Sequence, residues 1–301
     1  MGDIIRIAII GSTGQLGSDV YSRFASDSTN QVFPISHEQM DITDGQNVES
    51  VLHKLHPDIV INCAAYVRVD DCEEYPWLAF RVNALGPMHI SKACSQISAK
   101  CLHISTDFVF DGTKGTAYSE SDIPNPINTY GLSKLVGEQI LRSNLQDSLI
   151  IRISSLFGMN ISRGKGSNFI ETIINKSKSG EDLRIISDIY MSPTYTVDVS
   201  EAIHNIVQLD SPSGIYHLSN SGSCSWFELA QAVLTEVNPH ASIKPILASE
   251  YTAKAMRPKV SSLVSVNLSP IGLEPMRDWR MAVRDYLISQ RHIKESSQNL
   301  E

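Results

Sequence analysis

The chain opens on a β-branched run, Ile4-Ile5-Arg6-Ile7-Ala8-Ile9-Ile10, that passes directly into Gly11-Ser12-Thr13-Gly14-Gln15-Leu16-Gly17. A short apolar run bounded by glycine predicts a buried strand. Leu16, Val20 and Phe24, at i, i+4 and i+8, predict an amphipathic helix behind it. The alternation continues: residues 32–35 predict a second strand, 46–55 a helix, and 58–65 a central buried strand ending in small side chains. Residues 76–95 predict one long helix and 101–106 a further strand. Strands alternating with helices predict an α/β fold, a Rossmann-like, doubly wound parallel sheet. Later, residues 169–178, 197–207, 226–237 and 276–287 carry helical spacing. Trp226 and Trp279 within them read as core aromatics, and the punctuation around 163–168 reads as a mobile loop.

Composition narrows the class. The 301 residues carry 25 Lys and Arg against 33 Asp and Glu, a formal charge of −8, which argues against a general nucleic-acid binder. Five cysteines without a C-x-x-C pair fit reduced thiols in a cytoplasmic protein better than a disulfide framework or a metal site. The N-terminal apolar stretch is short and contains Arg6, so no membrane segment or secretory leader is expected, and residues 296–301 read as a polar tail.

Two patterns carry chemistry. The strand–glycine turn–helix order suits a dinucleotide: glycines let the backbone approach a pyrophosphate, whose charge sits on the helix N-terminus. Its spacing is G-x-x-G-x-x-G, and a plain glycine turn after a strand is the alternative. The second pattern is Tyr130-Gly131-Leu132-Ser133-Lys134, which sets a phenol and an ammonium one helical turn apart on a common face. A nearby ammonium favours the phenolate, so a tyrosine pKa lowered by Lys134 is expected. Taken singly, each position has an ordinary structural explanation: Thr106 as a strand end, Asp107 and Asp111 as turn residues, Asn83 as a bonded polar group inside a helix.

Taken together, Ser105-Thr106-Asp107-Phe108-Val109-Phe110-Asp111-Gly112 and Tyr130 through Glu138 resemble the extended short-chain dehydrogenase/reductase superfamily. Within it they resemble the dTDP-4-dehydrorhamnose reductase family. Asp41-Ile42-Thr43-Asp44, Val82-Asn83-Ala84, Ser192-Pro193-Thr194-Tyr195 and Gly214-Ile215-Tyr216-His217-Leu218 extend the likeness over nearly the whole chain. The resemblance implies an oxidoreductase that reduces the C4 ketone of a nucleotide-linked 4-keto-6-deoxysugar, with Thr106, Tyr130 and Lys134 as the catalytic triad. It implies that Gly11, Gly14, Gln15, Leu16 and Gly17 cradle the pyrophosphate. Asp41 and Ile42 would meet the adenine, and Cys63, Ala64, Ala65 and Asn83 would serve the cofactor as well. Ser36 and His37, where an acid would select NAD, lean to NADP(H), with NAD(H) left open.

Thr106, Asp107, Phe108, Tyr130, Ser155 and Arg257 would meet the substrate, most naturally a dTDP-sugar. The implied domains are 1–154 with about 193–212 for the cofactor, and 155–192 with 213–295 for a smaller, discontinuous α/β substrate domain. A homodimer is left open. Three positions depart from the family pattern: Phe108 stands in place of tyrosine, Ser155 in place of tryptophan and Val67 in place of threonine. Met256-Arg257-Pro258 fits a family Arg-Pro element, while 259–267 fits loosely. Two other functions stay open: an epimerase or dehydratase, although Asp107-Phe108 lacks the dehydratases' second acid, and a non-catalytic NADP-binding subunit resembling the methionine adenosyltransferase beta subunit.

Overall fold

A computed structural model describes residues 4–160 and 167–294; residues 163–166 of the expected loop and the 296–301 tail lie outside that range. The opening run forms β1 (Ile5–Ile10), and the glycine turn leads into α1 (Gln15–Ala25) and β2 (Asn30–Ile35). Asp44 then starts α2 (Gly45–Leu55) by accepting the backbone N–H groups of Gln46 and Asn47, an N-cap that satisfies otherwise orphaned donors. The expected strand over 58–65 is shorter, β3 (Ile59–Asn62), so Cys63, Ala64 and Ala65 lie beyond its carboxyl end.

After α3 (Val69–Glu74), the long helix expected over 76–95 is not regular. It runs as α4 (Pro76–Phe80), a turn of π-helix at Arg81–Leu85, and α5 (Gly86–Ile97). The cause is Pro87, which has no N–H for the carbonyl of Asn83 four residues back and crowds it. That carbonyl instead faces α6 (Thr129–Asn144), which follows β4 (Lys100–Thr106) and precedes β5 (Ser148–Ile153). A Cβ on Gly137 of α6 would lie 2.1 Å from the Asn83 oxygen, so only glycine fits that crossing.

The remaining elements are β6 (Leu156–Phe157), α7 (Phe169–Lys178), β7 (Leu183–Ile186), β8 (Tyr190–Met191), β9 (Thr194–Tyr195), α8 (Thr196–Gln208), β10 (Gly214–His217), β11 (Cys224–Ser225), α9 (Trp226–Val237), β12 (Ile243–Ile246) and α10 (Trp279–Ser289). Asp278 caps α10 through the Arg280 N–H, which is why this helix starts after residue 276. Among the described residues no helix is long and apolar enough to cross a membrane.

The main sheet is parallel throughout, in the order β10-β5-β4-β3-β1-β2. Alternate strand residues feed two apolar layers. Ile7, Ile9, Ile61 and Leu102 meet Leu16, Val20 and Phe24 of α1 with Val199 and Ile203 of the returning helix α8. On the other face Ala8, Ile10, Val60 and Cys101 meet Val48 and Leu52 of α2 with Ile90 of α5. One expectation is corrected: β10, assigned above to the substrate domain, pairs with β5 as the sixth strand of the sheet. Its Ile215 and Tyr216 suit that edge. A separate core of Phe157, Ile170, Ile174, Met191, Trp279 and Tyr286 supports the C-terminal half.

The Gly137 crossing yields a test. Gly137→Ala forces α6 off the π turn, and overpacking of this kind costs about 1–3 kcal/mol. A lowered thermal midpoint is expected in calorimetry; an unchanged midpoint would mean that the contact is not tight.

Candidate active site

The order of the sheet reverses between β1 and β3, where α/β sheets open a crevice at their carboxyl edge. Gly11 fills the turn there with φ +75°, and a side chain on it would meet the Ala64 backbone at 2.9 Å. A Cβ on Gly17 would lie 2.2 Å from the Gly11 oxygen, so turn and helix pack without side chains between them. Gly14 precedes α1 with no side-chain cap, which leaves the helix N-terminus open to an anion. These features fit a dinucleotide pyrophosphate. From this cradle a cleft of about 770 Å³ runs past Cys63, Ala64 and Ala65 to Thr106, Tyr130 and Lys134, and on to Phe169 and Trp226.

Gln15, Leu16, His37, Asp41, Ile42, Asp107, Phe108, Ser155 and Arg257 also line this cleft. Two expected cofactor residues do not. Ser36 stands outside the lining, where its N–H donates to Gln39 Oε1 at 2.7 Å. Asn83 is buried inside the π turn: its amide accepts from the Tyr66 N–H (2.8 Å) and donates to the Tyr66 carbonyl and Ser133 Oγ (both 3.0 Å). It clamps the loop after β3 to α6, with both amide N–H groups engaged.

The first turn of α6 is fixed by three partners. Asn128 caps it, accepting the Gly131 N–H at 2.8 Å and donating to the Met256 carbonyl at 2.9 Å. Glu73 of α3 accepts from the Thr129 N–H and hydroxyl at 2.7 and 2.8 Å. Gly131 approaches the Phe108 carbonyl so closely that a Cβ would sit 2.0 Å from it. This approach brings Tyr130 to the end of β4, where its ring meets Phe108 edge-on at 5.8 Å and its phenol comes close enough to Thr106 for that hydroxyl to oppose the rise in its pKa.

Thr106 Oγ1 accepts the Phe108 N–H (3.2 Å) and donates to Asp107 Oδ1 (3.0 Å), while Ser154 Oγ donates to Asp107 Oδ2 (2.8 Å). Burial pushes the Asp107 carboxyl up to about 6, against hydrogen bonds from Ser261, Ser154 and Thr106 that favour its charge.

The expected lowering of the Tyr130 pKa by Lys134 is corrected. Burial raises the phenol well above its ordinary value, so Tyr130 stands protonated. Lys134 Nζ turns into the sheet instead, donating to the Ile104 carbonyl at 2.6 Å beside His103 Nε2 at 3.1 Å. Desolvation brings the Lys134 pKa down to about 8, against the opposing pull of Glu138 and Cys63.

Further along the cleft, Ser155 adopts a left-handed φ of 38° and its carbonyl accepts the Thr194 N–H at 3.1 Å. Arg257 is held by Asp70 at 3.0 and 2.8 Å, and that pairing draws the Asp70 carboxyl down to about 2. Trp279 is core as expected. Trp226 is only half-buried: it packs against the edge of the C-terminal core, meets Phe169 edge-on at 4.7 Å and lines the cleft. The signal was present in Ser225-Trp226-Phe227-Glu228, a capping box that puts Trp226 at the first helical position, ahead of the buried stripe of Leu229 and Val233.

A glycine cradle at the switch point of a parallel sheet, facing a strand-end threonine and a Tyr-x-x-x-Lys helix, defines an extended short-chain dehydrogenase/reductase. The chain belongs to the family described as RmlD substrate binding domain, which it matches over residues 5–291. It is 37% identical to the spore coat polysaccharide biosynthesis protein SpsK of Bacillus subtilis, covering 94% of this chain and 96% of that one. It is 35% identical to the dTDP-4-dehydrorhamnose reductase of Mycolicibacterium smegmatis, over 93% of this chain and 84% of the relative. The crystal structure of dTDP-4-dehydrorhamnose reductase from Bacillus anthracis in complex with NADP superposes with a TM-score of 0.90, at 34% identity, over 95% of this chain and 99% of that one.

The Asp107 carboxyl gives a pH test. Folding raises its pKa, so the folded chain holds the proton more tightly than the unfolded chain. Its stabilising contribution is complete below the unfolded value near 4 and is lost as pH rises through about 6. Asp107→Asn removes this loss, so the midpoint difference between variant and parent should move in the variant's favour from pH 4.5 to pH 7.5. The upper bound is about 3 kcal/mol, the worth of two pKa units. A difference that stays flat with pH would contradict the burial of a titrating group.

Proposed function

We propose that the chain reduces the C4 ketone of a dTDP-linked 4-keto-6-deoxysugar, using NADPH, with Thr106, Tyr130 and Lys134 as its catalytic residues. The observation that carries this reading is Tyr130 beside Thr106 on a cleft continuous with the glycine cradle. When bound, NADPH supplies a hydride. Gly11, Gly14 and Gly17, with the open N-terminus of α1, hold its pyrophosphate. The end of β2 offers the exposed imidazole of His37 in place of an acid, which favours a phosphorylated ribose, and the Bacillus anthracis relative was solved with NADP.

The chain's own residues then do three things. Thr106 turns its hydroxyl proton from Asp107 Oδ1 to the ketone oxygen and orients it. Tyr130 gives its phenolic proton to that oxygen as negative charge develops there. The Lys134 ammonium, one helical turn away and bonded to the Ile104 carbonyl, stabilises the phenolate left behind by its charge and not by direct contact, which requires Nζ to be protonated. The relatives named for reduction of dTDP-sugars support the substrate class. The single acid of Asp107-Phe108, bound up with Thr106 and Ser154, argues against dehydratase chemistry.

Purified protein should oxidise NADPH only when a dTDP-4-keto-6-deoxysugar is added. Tyr130→Phe should lower turnover about 10²–10⁴-fold, the range for a lost general acid, while still binding NADPH. Turnover unchanged in that variant would remove Tyr130 from the mechanism. NADPH binding without turnover on any 4-keto sugar would point to the non-catalytic subunit instead. For the parent protein, kcat/KM should hold below about pH 8 and fall above it as Lys134 loses its proton; a flat profile to pH 10 would contradict the role given to the ammonium.

A further inference from the structure

The proposed reaction leaves a buried imidazole beside Lys134 without a task. His103 lies in the middle of β4, fully buried, on the face covered by α6. Parallel pairing sets it opposite Asn62 of β3. The Ala64 N–H donates to Asn62 Oδ1 at 3.1 Å, which orients the amide so that Nδ2 donates to His103 Nδ1 at 3.0 Å. Burial holds His103 neutral, well below the ordinary imidazole value, so it carries one ring proton. With Nδ1 accepting, that proton is on Nε2 and faces Lys134 Nζ at 3.1 Å. Nζ must then offer a lone pair, which only the amine has, while it donates to the Ile104 carbonyl.

An ammonium at Lys134 needs the opposite arrangement. Nε2 must accept, the ring proton moves to Nδ1, and the Asn62 amide turns to present its oxygen. The Ala64 N–H, in the loop that lines the cleft, then loses its acceptor. The other ionisable groups that act on Lys134 are Cys63 after β3 and Glu138 on α6, while Tyr130 on α6 and Asp107 beyond β4 line the same cleft. Arg152 on β5 engages Glu138 at 3.0 and 2.7 Å, and among the described residues Lys134 makes no hydrogen bond to a carboxylate. The hydrogen-bond chain through His103 therefore has two states, one for each form of Lys134, and the ammonium state leaves the Ala64 N–H without its acceptor.

We propose that His103 is a positioning residue for the reductase reaction: with Asn62 it holds Lys134 Nζ in place and sets the form, ammonium or amine, in which Lys134 serves Tyr130. The proposal rests on the reductase reading for its consequence but not for its test, because the ring tautomer is observable without turnover.

Long-range proton–nitrogen NMR of the imidazole rings should show His103 passing from the Nδ1–H to the Nε2–H tautomer as pH rises through about 8, with no imidazolium. The signal is assigned by its loss in His103→Phe. A single tautomer from pH 6 to pH 10 would overturn the proposal. Asn62→Asp supplies a second reading. Its carboxylate accepts from both the Ala64 N–H and the Nδ1–H, which favours the ammonium. The basic limb of kcat/KM should then move up by about one pH unit, and in His103→Phe, where the acceptor is lost, it should move down. A purely structural role would lower kcat and leave the limb in place, and a limb unmoved in Asn62→Asp would defeat the coupling.

Discussion

The buried ion pair of Glu138 and Arg152 is the contact on which the site depends. Both side chains are almost wholly buried, the guanidinium reaches the carboxylate through two nitrogens, and Ser105 donates to the same carboxylate. The Arg152 guanidinium also lies 5.2 Å over the Phe110 ring. Such a pair adds little net stability over an apolar substitute, yet losing one partner costs about 3–5 kcal/mol because the other charge is stranded. Its effect is on position. Ser105 and Arg152 are register neighbours on β4 and β5, while Asn62 and His103 are register neighbours on β3 and β4. Glu138 meets the first couple, and Lys134, one turn earlier, meets His103 of the second. Helix α6 is thus pinned across three strands by two polar contacts, and the turn before them carries Tyr130.

Glycine makes the pinning close enough to matter. Gly137 makes room for the Asn83 carbonyl freed by Pro87, and Gly131 for the Phe108 carbonyl. These approaches bury the first two turns of α6 against the strand ends, and that burial sets the electrostatics. Asp107 is pushed up, Lys134 is pulled down, and Tyr130 keeps its proton. A proton donor and a cation whose charge can be gained or lost near neutral pH come from the same desolvation that fixes the helix.

Much of this was legible in the chain. Continuous apolar runs placed the strands, since both faces of the sheet are apolar, and period-3.6 spacing placed the helices. The glycine turn marked the cradle because no other residue fits Gly11 or Gly17. What escaped has identifiable causes. Helical periodicity does not register a π turn, although Pro87 inside the segment was its warning. Asn83 looked available because its three hydrogen bonds come from segments distant in sequence. Burial reversed the expected direction of the Tyr130 shift, and spacing alone could not show Lys134 turning to His103. The edge strand β10 was assigned to the wrong half because its pairing with β5 spans a whole excursion of the chain. Trp226 was read as core from helical spacing, when its place at the helix start puts it on the cleft.

A site of this kind lets NADPH pass its hydride to a sugar carbon and leave as NADP⁺, with no return of the hydride to the cofactor. Mass spectrometry after incubation with NADPH deuterated at nicotinamide C4 tests it most directly. The predicted result is one deuterium on C4 of the deoxysugar, with an equal amount of NADP⁺ formed. Unlabelled sugar with the reduced cofactor intact would contradict it.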